Sequence, residues 1–234
     1  MDISFAISEW SGWKSQALNN ITKEKTFLST GKDPDVSSIP PLLRRRLNLL
    51  GRACANEVLQ HIKRDENIPV VYCSQHGDIE RTLGILTGAV RGEPTSPMNF
   101  SLSVHNAILG VLSIHLGLTS SISSISSGQN GLVPVLLEAI GILMSGSEKV
   151  LCVICDVALP QIYHDAPNLC RNSYAISFIV TKSKGTGLKL TQSGDEVNMK
   201  KSEELPISLI KFLSSDIKEI YLNHNGLKWK LVKR

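Results

Sequence analysis

The sequence predicts an α/β fold with a mixed, mostly parallel five-stranded sheet, which helices flank and a C-terminal hairpin follows. Short apolar segments of strand-like composition alternate with longer segments of helical periodicity. Hydrophobic residues make up 42% of the chain and charged residues 20%, as in ordinary globular proteins. A length of 234 residues suits one large domain or two small ones, and we expect a single domain over residues 1–234.

The first third of the chain predicts one strand and one long helix. Residues 2–7 alternate between polar and apolar types and are β-prone. Pro40 and Pro41 suit the first turn of a helix that we expect over about residues 42–63. Its apolar side chains recur at helical spacing and form one stripe: Leu43, Leu47, Leu50, Cys54, Val58 and Ile62.

The middle of the chain predicts a strand over residues 68–73 and two helices. His76 and Asp78 invite a catalytic interpretation, but Asp78 fits better as the N-cap of a helix over residues 79–90. A second helix is expected over about residues 99–116. The later sequence predicts a buried strand over residues 150–157 and another strand over residues 173–182.

The last part of the chain predicts a short helix over residues 206–213 and then a hairpin. Asn225 and Gly226 form the strongest short hairpin signal, and residues 219–223 and 227–232 flank it as strands.

Farther upstream, Cys152 and Cys155 have the spacing of zinc ligands. Residues three apart in a strand face opposite sides, so no metal site is expected there.

Residues 113–138 are the most informative stretch of the chain. They predict a helix that ends at Gly117, a short strand over residues 121–125, a tight turn and a new helix from about Gly131. Gly128 and Gly131 allow positive φ and close backbone approach. A strand that breaks sharply into a helix holds one side chain at the helix N-terminus, where an anion or a thiolate is favoured.

This stretch resembles the nucleophile elbow of the β-ketoacyl synthases, which have a thiolase-like fold. A gap-free alignment from residues 117–119 places residues 126–129 on the family's Ser-Thr-Ala-Cys, so Gln129 falls on the nucleophilic cysteine. An amide offers no nucleophile for acyl transfer. The resemblance also includes residues 96–97, 106–110, 137–139, 146 and 150–156.

The resemblance implies the N-terminal half of the thiolase-like fold and a chain-length-factor-like role. In the family, the second half of the fold supplies two histidines that stabilise the oxyanion, and this chain has roughly half of the family length. We therefore expect no catalytic residue. The expected function is that of a subunit that heterodimerises with a full-length β-ketoacyl-ACP synthase and shapes its acyl channel in aryl polyene, polyketide or fatty acid biosynthesis.

The same resemblance implies residues for the partner interface and the acyl channel. Five of them lie in the predicted helix region, namely Met98, Asn99, Phe100, His105 and Leu109. Five more form the strand expected to pair across a two-fold or pseudo-two-fold axis, namely Ser121, Ile122, Ser123, Ser124 and Ile125. Core packing is the alternative for residues 98–100, and His105 could be a hydrogen-bonded core histidine. An exposed strand edge would make a monomer prone to aggregate through unpaired backbone groups.

Arg44, Arg45 and Arg46 occupy consecutive positions of a predicted helix. They suit a solvated face, or a patch for an acyl carrier protein, whose phosphopantetheine phosphate an arginine fork can bind. No aromatic residues are interleaved with them, and the net charge of +4 is mild, so nucleic acid is not an expected partner.

The sequence is also compatible with two other functions. Some ketosynthase domains with glutamine at the cysteine position decarboxylate malonyl groups, so the chain could be a malonyl-ACP decarboxylase. It could also be a basic interaction module unrelated to acyl chemistry. Five cysteines without an evident signal peptide or membrane-spanning segment favour a cytoplasmic protein with no membrane partner. No cofactor or metal is expected.

Overall fold

The computed structural model describes residues 2–15, 28–30, 33–128, 131–163, 165, 172–193 and 205–234. Within these residues the strands are β1 (Asp2–Lys14), β2 (Leu28–Thr30), β3 (Val70–Cys73), β4 (Ile122–Ile125), β5 (Lys149–Asp156), β6 (Tyr174–Thr181), β7 (Thr186–Ser193), β8 (Glu219–His224) and β9 (Leu227–Lys233). The helices are α1 (Pro41–Arg44), α2 (Leu49–His61), α3 (Ile79–Val90), α4 (Pro97–Ser103), α5 (Ala107–Leu116), α6 (Leu132–Met144) and α7 (Leu205–Ser214), and Gln161–Tyr163 form a 3₁₀ turn.

The strands form one mixed sheet in the order β4-β3-β5-β6-β1-β7-β9-β8, and β2 pairs beside β1. The predicted α/β class and mixed sheet are confirmed, but the prediction of five mostly parallel strands is wrong. The pairs β3–β4, β3–β5 and β1–β2 are parallel, and the other five pairs are antiparallel. Strand direction depends on the connections between strands, which periodicity does not reveal.

Two segments predicted as single helices are each divided in two. The segment over residues 42–63 forms α1 and α2, and the side chain of Asn48 caps α2 by accepting from the Gly51 N–H. The segment over residues 99–116 forms α4 and α5. Arg44 therefore ends α1, and Arg45 and Arg46 lie in the connection to α2. The Asn48 cap explains the first division, because a polar cap starts a new helix inside a segment that the apolar pattern alone would continue.

The C-terminal hairpin is confirmed and extends the sheet, because β9 also pairs with β7. Asn225 and Gly226 both have positive φ, at 51° and 78°, which suits the tight turn that an Asn-Gly pair favours. The hairpin thus belongs to the far end of the sheet from β4.

Helices cover both faces of the sheet's centre and divide the core into two clusters. One cluster packs α6 and α7 against strand residues that include Cys152 and Ile154. The other packs α2 and α5 against residues that include Val153 and Cys155. All residues of β5 after Lys149 are buried, which explains its continuous apolar sequence.

Candidate functional site

The site lies at the carboxyl ends of β3, β4 and β5. These strands are parallel and in register, with Cys73 beside Ile125 on one side and Ile154 on the other. The loop over residues 74–78 follows β3, and the elbow over residues 126–131 follows β4. The carboxyl edge of parallel strands is the usual place for a ligand site in an α/β sheet.

The elbow is closely packed at its base. Gln129 and Asn130 lie outside the described residues, so the predicted role of Gln129 stays a prediction. Gly131 has φ of −61°, so positive φ does not explain this glycine. A Cβ atom on Gly131 would lie 2.6 Å from Cys73 Sγ and 3.1 Å from Ser127 Oγ, so close approach does explain it.

Cys73 is a residue of the site that no sequence pattern indicates. Its thiol is buried beneath the elbow and lies 3.4 Å from Ser127 Oγ. Burial raises the pKa of the Cys73 thiol, opposed in part by the contact with Ser127. A neutral, buried thiol at a strand end does not have the properties of an activated nucleophile.

Asp156 holds the loop that follows β3. Its Oδ1 accepts hydrogen bonds from Ser74 Oγ and the Gln75 N–H, both at 2.8 Å, and from the His76 N–H at 3.4 Å. Tyr174 Oη donates to the other carboxylate oxygen at 3.1 Å. Burial raises the pKa of Asp156, whereas these donors oppose the rise. The carboxylate therefore fixes the loop, and an acidic residue that ends an apolar strand was the available signal.

His105 is anchored behind the end of β4. Its Nε2 lies 2.8 Å from the Ile125 carbonyl oxygen, which can only accept, so Nε2 carries the proton. The ring lies 5.2 Å from the Tyr72 ring between centroids. His105 thus ties the turn before α5 to the end of β4.

Asp78 is the N-cap of α3, as predicted, because its side chain accepts from the Arg81 N–H.

Strand β4 lies at the border of the sheet, and among the described residues it pairs with β3 alone. Ser121 is exposed, and the residues from Ile122 to Ile125 are half-buried. Ser123 Oγ donates to Glu138 Oε1 at 2.7 Å. Four of the five predicted interface residues thus form the border strand, and Ser121 immediately precedes it.

The helices α3 and α4 present an apolar surface. Met98 and Phe100 are 59% and 61% exposed, whereas Leu109 is 1% exposed within the core. Asn99 Oδ1 accepts from Arg81 Nη1 at 3.4 Å. Met98 and Phe100 are thus on the surface, His105 is half-buried, and Leu109 belongs to the core.

The arginines at the end of α1 differ in exposure. Arg45 and Arg46 are exposed, whereas Arg44 is half-buried. The Arg46 carbonyl accepts from Arg81 Nη2 at 3.2 Å, which links this segment to α3. The structure thus leaves two of the three guanidinium groups accessible.

The part of the chain that the structure describes contains neither a metal site nor a membrane-spanning helix. No group of three His, Cys, Asp or Glu side chains there is arranged to hold a metal ion. Cys152 and Cys155 belong to opposite core clusters. In the same described part, every helix is too short or too polar to cross a lipid bilayer.

Comparison with known proteins identifies relatives of this fold. The family model of the β-ketoacyl synthase N-terminal domain matches residues 10–230. No curated protein matches the sequence. A chain in the complex of a ketosynthase (ApeO) with its chain length factor (ApeC) from Xenorhabdus doucetiae is similar, with a TM-score of 0.76 and 22% identity over 98% of this chain and 99% of that one.

Two further structures are similar over a smaller part. The ishigamide ketosynthase/chain length factor has a TM-score of 0.56 and 13% identity over 69% of this chain and 54% of that one. A β-ketoacyl synthase from Burkholderia phymatum STM815 has a TM-score of 0.50 and 15% identity over 78% of this chain and 56% of that one. The present chain thus spans about half the length of these two proteins. At these identities the similarity shows the thiolase-like ketosynthase fold.

Proposed function

Because the chain belongs to the β-ketoacyl synthase family through that family's N-terminal domain, we propose that it is a non-catalytic, chain-length-factor-like subunit. It forms a heterodimer with a full-length β-ketoacyl-ACP synthase and shapes the acyl channel of that enzyme in aryl polyene, polyketide or fatty acid biosynthesis. The observation that carries the proposal is the open edge of β4 beside exposed apolar helices. The similarity to a chain of a ketosynthase–chain length factor complex, nearly equal in length, supports it.

The backbone of β4 has hydrogen-bonding groups for a partner strand. The Ser121 and Ile125 carbonyls accept from the Val70 and Ser74 N–H groups at 3.1 and 3.3 Å. Backbone groups alternate in direction along a strand, so those of Ile122 and Ser124 point to the open edge. A strand of the ketosynthase can complete the pairing there.

The apolar surface beside this edge supports the same partner. Exposed apolar side chains lie on α3, α4 and the residue after α4, with exposures from 46% to 90%: Leu86, Val90, Met98, Phe100 and Val104. Large exposed apolar patches usually mark interaction sites. In the proposal, Met98, Asn99 and Phe100 reach the partner and its channel, while His105 and Leu109 support them from behind.

The chemistry of the elbow supports a non-catalytic role. In the proposal Gln129 takes the position of the family's cysteine, and an amide cannot form an acyl thioester. Cys73, the described thiol beside the elbow, is buried and has a raised pKa. We further propose that Arg44, Arg45 and Arg46 contact an acidic carrier protein.

The first experiment is co-expression with a ketosynthase encoded nearby, followed by size-exclusion chromatography with mass determination. We expect a one-to-one complex. A chain that remains a monomer or homodimer in the presence of the ketosynthase would overturn the proposal. Release of CO₂ from malonyl-carrier protein by the purified chain alone would instead favour the decarboxylase.

A substitution in β4 locates the interface. Ser124→Pro removes one N–H from the open edge, so we expect loss of the complex while the chain keeps its fold. The matched control is Ser124→Ala, which removes the hydroxyl but keeps the N–H and should retain the complex. A complex of unchanged affinity with Ser124→Pro would place the interface elsewhere.

A second substitution tests the channel. Phe100→Ala should lengthen the products of the complex, because a close-packed wall sets the space for another two-carbon unit. Phe100 is exposed in the isolated chain, so its truncation should leave the fold intact. Unchanged products from both Phe100→Ala and Met98→Ala would remove these residues from the channel wall.

A further inference from the structure

A second polar region lies at the opposite end of the sheet from the elbow. A cavity of about 560 Å³ is lined by residues of β1, the end of α2, the segment before β5 and the β6–β7 turn. Lys149 begins β5, whereas Asp156 ends it, so the cavity and the elbow lie at opposite strand ends. His61, the last residue of α2, contributes to the cavity wall although its side chain is only 4% exposed.

The hydrogen bonds of Glu57 determine those of its neighbours. Its Oε2 accepts from Ser11 Oγ and Ser177 Oγ at 2.5 and 2.8 Å, and its Oε1 accepts from Asn56 Nδ2 at 2.9 Å. The two serine oxygens also lie 2.7 Å from each other, so the single proton of each serine is used in contacts among these two oxygens and the carboxylate. The two serine oxygens are therefore left as acceptors.

His61 provides the donor that these oxygens need. Its Nε2 lies 2.9 Å from Ser177 Oγ and 3.3 Å from Ser11 Oγ, so the proton of the neutral ring belongs on Nε2. The other ring nitrogen, Nδ1, is then a bare acceptor. It is buried, makes no hydrogen bond, and has Glu9 Oε2 at 3.6 Å. Nδ1 and the Glu9 carboxylate thus form a pair of acceptors without a donor between them.

The backbone around this pair is specialised. The register of β1 against β6 shifts between Ile7 and Glu9, which is a β-bulge at Ser8. Gly185 packs against the bulge so closely that a Cβ would lie 2.3 Å from the Ile7 carbonyl oxygen. Bulges often re-aim a side chain beside a functional site, and this one directs Glu9 toward the end of α2.

The charges around the cavity have both signs. Glu9, Glu66 and Glu148 line it together with Lys149, Lys182 and Lys184, and Lys149 pairs with Glu66 at 2.9 Å. Two acceptors at the wall suit a cationic donor, and the lysines of the β6–β7 turn suit an anionic group. We propose that this cavity binds a small zwitterionic amine, with its ammonium on the Glu9 carboxylate beside His61 and its anionic end toward Lys182 and Lys184.

The test is a titration of the isotope-labelled full chain, followed through the imidazole resonances of His61. The probe is 4-aminobutyrate, and the matched control is 4-hydroxybutyrate, which replaces the ammonium with a neutral hydroxyl. We expect saturable shifts with 4-aminobutyrate and an affinity for 4-hydroxybutyrate lower by about tenfold or more, as for loss of one charged hydrogen bond. Equal responses to both probes, or no response to either, would overturn the proposal.

Two variants locate the ammonium. Glu9→Gln should weaken 4-aminobutyrate binding by about tenfold, because the amide removes the negative charge but keeps the shape. Glu148→Gln changes a carboxylate elsewhere in the lining and should have little effect. Equal losses in both variants would indicate a diffuse electrostatic attraction and reject the assigned position. Because no residue that lines the cavity belongs to β4 and the titration uses no ketosynthase, failure here leaves the heterodimer proposal unaffected.

Discussion

Two buried carboxylates have different consequences: Asp156 ends β5, whereas Glu57 lies on α2 and contacts the middle of β1 and β6. Burial raises the pKa of both, and each accepts several hydrogen bonds. Asp156 takes its donors mainly from one loop, which it fixes beside the elbow. Glu57 takes its donors from three elements, and its network ends at a histidine nitrogen without a partner. The Asp156 network gives the donors of the loop an acceptor, whereas the Glu57 network leaves His61 Nδ1 without a hydrogen bond beside the cavity.

Removal of the Asp156 carboxylate should have the largest effect on stability. Asp156→Ala leaves the Ser74 hydroxyl, the Gln75 N–H and the Tyr174 hydroxyl without their acceptor in a buried site. We expect a loss of about 3 kcal/mol or more in the free energy of unfolding, measured in urea. Asp156→Asn keeps one acceptor oxygen and should cost less. A loss below about 1 kcal/mol for Asp156→Ala would show that the loop does not depend on this side chain.

Removal of the Glu57 carboxylate should cost less, at about 2 kcal/mol for Glu57→Ala. The two serines can donate to each other or to His61 once the carboxylate is gone, and the adjacent cavity can admit water. Urea unfolding of this variant beside Asp156→Ala tests the comparison directly. A larger loss for Glu57→Ala than for Asp156→Ala would contradict the view that its network is the more adaptable one.

The parts of the fold that local chemistry determines could be predicted from the sequence. The Asn225-Gly226 turn, the Asp78 cap and the apolar strand that ends at Asp156 all follow from neighbouring residues. The number and direction of strands could not be predicted in this way. Strand β1 runs to Lys14, well beyond the predicted residue 7, because its second half pairs with β6, more than 150 residues later.

The candidate site was predictable to the same limited extent. The elbow and the edge strand are local patterns, and the structure places β4 at the sheet border. The roles of Gln129 and of the interface residues remain predictions. The Glu57 network joins Ser11 to Ser177 across 166 positions, so no local pattern could indicate it. Cys73 was missed because its position beneath Gly131 depends on packing between two strand ends.

The His61 network predicts a dependence of stability on pH. Burial lowers the pKa of His61 from its usual value of 6.5, while the Glu9 carboxylate opposes this shift. The unfolded chain therefore takes up the proton first as pH falls, so the stabilising contribution is complete above about 6.5 and is lost below it. The ionisable groups that face the ring are Glu9 and, through the serines, Glu57.

Urea unfolding between pH 7.5 and 5.5 measures this contribution. His61→Gln can still donate toward the serines but does not titrate, so its stability should change less over the interval. The carboxylates with raised pKa act in the opposite direction, because their protonation at low pH favours the fold. Equal pH profiles for the parent chain and His61→Gln would assign the loss to other groups.

The smallest effect on stability is expected for Glu9→Gln, and it separates the charge of Glu9 from the packing of the network. The Glu9 side chain is 67% exposed, so we expect a change within about 0.5 kcal/mol at pH 7.5. The pKa of His61 should nevertheless fall further, because Glu9 is the group that raises it. Titration of the His61 resonances at low and high salt measures this change, and the difference from the parent chain should shrink at high salt. An unchanged His61 pKa in Glu9→Gln would mean that the carboxylate is screened by water, and the acceptor pair at the cavity would then be reduced to the imidazole nitrogen alone.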